Sequence, residues 1–294
     1  MIKISTKTWS VIRCFCTGKR SNLVESLTAT IGLDPKMLAD ALDASPQLNR
    51  YTSEQWVNTH HILDQEGIGP SNFLSIVVQH PDLLARSSDR LMANLNGWRS
   101  CQFGDQQLQT LFTAHPQLLD LADSNQLTKR VSFLHSYFET RKNVWRLFLN
   151  SPGLVTDRQD QIKSKIEYLI DEMRVEIPEI VKSSALNVDL EVIRCRHVFL
   201  ERLGLYKARS LKADPDTPST NPKLHQITDT SDKRFAVKVA YVTLEEYEVF
   251  VELFRREQDR RSGAAADKDD SDASDDDEDE EKQSKYRKYS KKRR

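Results

Sequence analysis

The sequence predicts an all-α protein: an α-solenoid, or superhelix, of roughly 35-residue helical repeats with a C-terminal helical cap and a disordered tail. Three observations predict it. First, a proline followed two places later by an apolar leucine recurs as Ser45-Pro46-Gln47-Leu48, His80-Pro81-Asp82-Leu83-Leu84, His115-Pro116-Gln117-Leu118-Leu119 and Ser151-Pro152-Gly153-Leu154-Val155. The prolines lie 35, 35 and 36 residues apart, and a degenerate copy without proline, Ser183-Ser184-Ala185-Leu186, follows after 32 more. Periods of this length mark stacked supersecondary units, none able to bury its own face. Second, a basic-aromatic run recurs between the turns: Arg130-Val131-Ser132-Phe133-Leu134, Lys165-Ile166-Glu167-Tyr168-Leu169 and Arg196-His197-Val198-Phe199-Leu200, with His61-Ile62-Leu63 in the same place of the first unit. Third, apolar residues before each proline keep helical spacing, as in Phe73, Leu74, Val77 and Val78.

Residues 1–24 carry Lys3, Lys7, Arg13, Lys19 and Arg20, no acid, several hydroxyl residues and an interrupted apolar set. That composition is a mitochondrial transit peptide's, and it places the mature chain in the matrix. The repeat array then occupies residues 25–212. In each unit proline disfavours helical geometry in its predecessor, so a first helix stops at His80 or His115. The Leu-Leu pair buries itself in a turn, and a second helix follows with Phe133 and Leu134 inward and Arg130 toward solvent or a groove. Gly67 and Gly204 close two of these helices four residues after a leucine. Residues 213–262 form a Pro-rich loop and a helical cap. Phe235, Val237, Val239 and Tyr241 alternate as a strand would, but an isolated strand has no partner, so helix is the expectation. Thr243 and Glu246 make a capping box for a helix carrying Leu244, Tyr247, Phe250, Val251 and Phe254 on one face. Two roles fit that face: sealing the array, or binding a partner protein through Tyr241, Leu244, Tyr247, Phe250 and Phe254. Residues 263–294 are the tail, with eleven acids and one lysine in 267–281, then eight Lys/Arg and no acid.

Composition excludes several functions. Nine glycines include no phosphate-cradling loop, no run of about eighteen apolar residues can span a membrane, and the four cysteines form no C-x-x-C pair. No metal site, cofactor or catalytic motif is expected. His80 and His115 occupy a slot held by Ser45 and Ser151 elsewhere, as turn residues satisfying a backbone group do. His60 and His61 point to different faces of one helix.

Charge points to a ligand. Residues 21–128 hold five Lys/Arg against twelve Asp/Glu, residues 129–212 sixteen against eleven. Stacking would align Arg130, Lys165 and Arg196 along one side, with Arg141, Lys142, Arg146, Lys163, Arg194, Arg202, Lys207 and Arg209 adding charge in the same half. Such a set attracts phosphates, and arginine also stacks on unpaired bases.

The proline-leucine turns alternating with R-x-x-F-L helices, and above all Arg196-His197-Val198-Phe199-Leu200-Glu201-Arg202-Leu203-Gly204-Leu205-Tyr206, resemble the mitochondrial transcription termination factor (mTERF) family over about residues 25–212. The stretch from Asp229 through Phe250, followed by an acidic tail, is similar to one animal branch of it. The resemblance implies a superhelix whose concave face binds nucleic acid. For that branch it implies mitochondrial ribosomal RNA, an Nsun-type RNA cytosine-5 methyltransferase, and assembly of the mitochondrial large ribosomal subunit. A DNA-binding terminator and a purely protein-binding scaffold are the alternatives.

Overall fold

The computed structural model describes residues 20–120, 124–209 and 220–269. Most of the expected transit peptide, the loop at 210–219 and residues 270–294 of the tail lie outside the described residues. No strand occurs among the described residues, and the chain divides into two compact units, Met1–Thr230 and Ser231–Arg294. The fold is the all-α repeat solenoid that the sequence predicts.

The first unit begins with α1 over residues 20–31. First helices of the repeats are α2 (Pro35–Ala44), α4 (Pro70–Gln79), α6 (Asp105–Ala114), α8 (Arg141–Asn150), α10 (Ile177–Lys182) and α12 (Leu224–Thr228). Second helices are α3 (Ser53–Asp64), α5 (Ser88–Ser100), α7 (Ser124–Phe138), α9 (Gln159–Glu167) and α11 (Leu190–Arg202). Each first helix packs on the next, α2 on α4 through to α10 on α12, while α3, α5 and α7 neighbour one another in the second layer.

The proline turns work as their chemistry dictates. Ser45, His80, His115 and Ser151, each preceding a proline, sit at φ between −129° and −142° and ψ between 71° and 81°, outside the helical region. Their N–H groups still close the last helical turn, at 2.7–2.9 Å from Ala41, Ile76, Leu111 and Leu147 oxygens. The chain then makes one 3₁₀ turn, at Pro46–Arg50, Pro81–Ala85, Pro116–Asp120 and Pro152–Val155, and buries Leu48, Leu83, Leu84, Leu118, Leu119 and Leu154. The proline-free copy keeps the turn at Ala185–Asn187, with Leu186 buried.

A second periodic mark is invisible to residue type. Helix α1 and each second helix end in a left-handed residue: Gly32, Gly67, Gln102, Glu139, Arg174 and Gly204, with φ between 57° and 77°. Only three of these are glycine. In α9 the helix first widens into a π turn, Tyr168–Glu172, before Arg174 reverses the chain.

The second unit repeats that plan. Helix α13 (Asp232–Phe235) widens into a π turn at Ala236–Ala240, and Tyr241 takes the left-handed position at φ 57°. Residues 235–240 are thus helical, as expected. Thr243 and Glu246 form the anticipated capping box: the Thr243 N–H donates to Glu246 Oε2 at 2.8 Å, and the Glu246 N–H to Thr243 Oγ1 at 3.2 Å. With no proline to stop it, α14 runs over Leu244–Asp269, so the boundary expected at 263 falls inside a helix.

Candidate nucleic-acid interface

Register along the second helices decides where the recurring cations go. Arg130, Lys165 and Arg196 are equivalent to Thr59 in α3 and Asn94 in α5, five positions separated by 35, 36, 35 and 31 residues. Thr59, Asn94, Lys165 and Arg196 are 4%, 7%, 9% and 4% exposed, and Arg130 is half-buried. Four of the five donate to main-chain carbonyls of the following repeat. Asn94 Nδ2 reaches Leu119 O at 2.7 Å, Arg130 Nη2 reaches Asp157 O, and Lys165 Nζ reaches Leu186 O at 3.1 Å. Arg196 holds two carbonyls, Ile227 O at 2.5 Å and Thr230 O at 2.9 Å.

The expectation that Arg130, Lys165 and Arg196 face solvent or a shared groove is therefore corrected. A long aliphatic stem crosses the apolar interlayer, and the charged head ends on carbonyls that the turn leaves without an internal partner. A cation in that setting braces two repeats. Burial draws the Arg130 pKa down, against the pull of Asp157. Phe133 is also displaced from its expected inward position: it is half-buried and packs edge-on against Tyr137 at 5.4 Å, while Leu134 is fully buried as expected.

The other eight cations divide by surroundings. Lys163 pairs with Glu167 at 3.6 Å, Arg194 with Glu191 at 3.0 Å, and Arg209 with Glu176 at 2.7 Å. Arg194 also lies over the Tyr168 ring, 5.4 Å from its centroid. Arg202 and Lys207 are exposed. Arg141, Lys142 and Arg146 are exposed on α8, whose sequence contains no acid.

Helix α8 is the one first helix whose outer face concentrates positive charge. Val144, Leu147 and Phe148 turn inward, so Lys142 and Arg146, one turn apart, share the opposite face. Among the described residues neither forms an ion pair. Trp145 lies to one side of them, half-buried, its Nε1 held 2.9 Å from Gln107 O of α6. At the N-terminal end Arg141 Nη1 donates to Gln102 Oε1 at 2.6 Å and Cys101 O at 3.1 Å, anchoring the face to the preceding repeat. The flanking outer face of α6 is uncharged beyond Asp105, with Gln106, Gln107 and Thr110 exposed, and Lys182 is exposed on neighbouring α10. An indole fixed among cations can stack on a base while they hold phosphates. Sequence reasoning missed Trp145, although the spacing Lys142-x-x-Trp145-Arg146 carries the signal.

The aromatic face expected to bind a partner divides. Tyr247, Phe250 and Phe254 are buried, 3–8% exposed, and Tyr247 packs edge-on against Phe235 at 5.1 Å. Leu244 is half-buried, whereas Val251, expected on the same face, is 38% exposed because it lies round the helix from the other three, and Tyr241 is 77% exposed. Core is thus the role of Tyr247, Phe250 and Phe254, which share one side of α14.

The histidine slot behaves as a turn brace. His115 Nε2 lies 2.8 Å from Leu149 O, and His80 Nε2 lies 2.5 Å from Asp120 Oδ2, a side chain rather than the backbone group expected. Arg86 completes that cluster, Nε to Asp120 Oδ1 at 2.7 Å. Burial opposes the Asp120 charge, but the hydrogen bonds from Arg86 and His80 outweigh it and hold the carboxyl below the usual range. Among the described residues no group of His, Cys, Asp and Glu is arranged to hold a metal, and no helix is long and apolar enough to cross a membrane.

Comparison with known proteins agrees with the architecture. A family model described as mTERF matches residues 1–236. Transcription termination factor 4, mitochondrial, of Mus musculus is 24% identical over 192 residues, covering 65% of this chain and 55% of that protein. Transcription termination factor 1, mitochondrial, of Homo sapiens and of Pongo abelii is each 25% identical over 154 residues, 51% of this chain and 37% of the relative. The chain thus spans about half the length, or less, of these curated relatives.

Proposed function

The chain belongs to the mTERF family, and from that premise we propose that it is a non-catalytic, mitochondrial RNA-binding protein. It delivers an Nsun-type RNA cytosine-5 methyltransferase to the large-subunit ribosomal RNA during ribosome assembly. The observation that carries RNA binding is the outer face of α8: Lys142 and Arg146 beside a pinned Trp145, on a helix without acids. Cations there neutralise phosphates, and the indole favours an unpaired base over one stacked in a duplex. The resemblance of residues 229–250 to one branch of the family supports the choice of enzyme, and Tyr241 is the exposed aromatic on that stretch. Binding RNA and enzyme together raises the enzyme's local concentration at its target.

A second reading is a mitochondrial DNA-binding termination factor, favoured by the names of the three relatives. Duplex binding calls for a longer basic surface, and the acid excess of residues 21–128 works against it.

Cross-linking in mitochondria followed by sequencing of the bound nucleic acid separates these readings. Ribosomal RNA cross-linked through α8 supports the proposal, DNA supports the second reading, and neither leaves a protein scaffold. In vitro, Lys142→Glu with Arg146→Glu is expected to weaken single-stranded RNA binding at least about tenfold. It should also flatten the salt dependence by about 0.7 per lost phosphate contact. Unchanged affinity and slope would remove α8 from the interface.

A further inference from the structure

Exposed large apolar side chains concentrate in the second unit: Val237, Tyr241, Val249, Val251 and Leu253. Two of them form a strip. At 3.6 residues per turn Val249 and Leu253 lie one above the other on α14, on a different side from the buried Tyr247, Phe250 and Phe254. They are 61% and 47% exposed, so they are no part of the folded unit's interior.

The charges along the strip are ordered. Glu245 and Glu246 precede Val249, Glu252 stands beside Leu253, and Arg256 and Arg260 follow, all exposed on that same side of the helix. Glu257 lies half-buried on the same side between Arg256 and Arg260, so the face reads acidic, apolar and then net basic from its N-terminal to its C-terminal end. Glu252 and Arg256 already pair within the helix at 3.2 Å. A strip of this order complements itself in one orientation only. Antiparallel pairing sets the acidic end of one helix on the basic end of the other, whereas parallel pairing sets like charges together.

We propose that the Val249–Leu253 face of α14 binds the same face of a second copy of this chain, antiparallel. With Val249 level with Leu253 of the other copy, the twofold axis passes by residue 251, and Glu246 comes level with Arg256 of that copy. The same two contacts occur twice, as a twofold interface requires. Two apolar residues per helix make a small seam, so the association is weak and concentration-dependent. The device doubles the number of nucleic-acid-binding arrays in one particle, so binding to a long RNA gains from bivalency.

Analytical ultracentrifugation of the full chain across a concentration series tests this. The expected result is a reversible rise in mass toward twice the monomer, which falls as salt is raised. Val249→Glu with Leu253→Glu should abolish it, with the helical circular dichroism and melting temperature unchanged because both sites are exposed. Arg256→Glu with Arg260→Glu should also leave the chain monomeric. Mixing that variant with one carrying Glu245→Lys and Glu246→Lys should restore a mixed dimer. A chain that stays monomeric throughout the series, or a dimer that survives Val249→Glu with Leu253→Glu, overturns the proposal. So does a charge-reversed pair that fails to reassociate while both variants remain folded.

Discussion

Residues 20–120 and residues 124–209 with 220–230 build the same repeat from different materials. In the earlier region two fully buried tryptophans centre an aromatic lattice: Trp56 against Phe73 at 6.0 Å, and Trp98 against Phe112 at 5.8 Å and, across the boundary, Phe148 at 5.7 Å. The inward polar slot there holds Thr59 and Asn94, small and neutral. In the later region the buried aromatics are Phe138, Phe148, Phe199 and Tyr206, with no fully buried tryptophan, beside Ile162, Ile166, Leu169, Ile180, Leu186, Ile193 and Leu200, and the slot holds Arg130, Lys165 and Arg196. Wide rings keep neighbouring repeats together over a short reach. The next repeat's carbonyls are reached by Asn94 and Trp98 in the earlier region and by long basic side chains in the later one. A rise in basic residues along a sequence is therefore not by itself an anionic binding surface: three of the cations that produced it brace repeats, and three more stand in ion pairs.

The contrast can be broken from both sides. Trp98→Ala should have the largest effect, about 4 kcal/mol, because it opens a large cavity and strips Leu118 O of its donor at 3.0 Å. Urea unfolding read by fluorescence and circular dichroism measures it, and a cost under about 1 kcal/mol would mean the aromatic lattice is not what holds the earlier repeats. Next comes the polar slot. Arg196→Met keeps the stem and deletes the donors to two buried carbonyls, for a loss of about 2–3 kcal/mol. Asn94→Ala removes one neutral donor and should cost about 1.5 kcal/mol. If Asn94→Ala proves the more damaging, the later region does not depend on its cations more than the earlier one depends on its amide.

Much of the array is readable from residue type because proline acts locally: each X-Pro step stops a helix wherever it occurs, and the Leu pair after it has only the interior to go to. The left-handed closures are half readable. Gly67 and Gly204 announce themselves, whereas Gln102, Glu139, Arg174 and Tyr241 adopt the same backbone because the stacked repeats impose it. The direction of Arg130, Lys165 and Arg196 was misread for a related reason. Cations compared only with one another suggest a charged stripe, but set in register with Thr59 and Asn94 they fall on an inward position. Charge alone places a head group in water; it does not register that a four-carbon or guanidinium-tipped stem can end on a carbonyl. Trp145 was missed in the opposite sense, since an aromatic amid helical apolar spacing reads as core.

The two regions should also part company on acidification, though by the least of these effects. In the later region His197 is 4% exposed, with Tyr168 Oη 2.8 Å from Nδ1, Tyr206 edge-on at 4.7 Å, and Glu201 Oε1 3.6 Å from Nε2. Burial draws its pKa below the ordinary histidine value, and the nearby charges of Glu201 and Glu172 only partly offset that. The same burial pushes the Tyr168 phenol up to about 12, so it stays a neutral partner throughout. A histidine whose folded pKa is depressed binds its proton more readily in the unfolded chain. Its contribution is therefore complete above the unfolded pKa of about 6.5 and is lost as pH falls below it. In the earlier region Asp120 is held down by Arg86 and His80 despite its burial, and a depressed carboxyl gives way only below about pH 4. His60 in α3 shares the direction of His197, also through burial, so total stability between pH 7 and 5 mixes the two. The informative comparison is the difference between the parent chain and His197→Gln, which keeps a polar group beside Tyr168 but cannot titrate. That difference should shrink by up to about 1 kcal/mol between pH 7 and 5. A difference that holds constant across that range would show that His197 takes up no extra proton on unfolding, and that acid sensitivity in this window belongs to the earlier repeats.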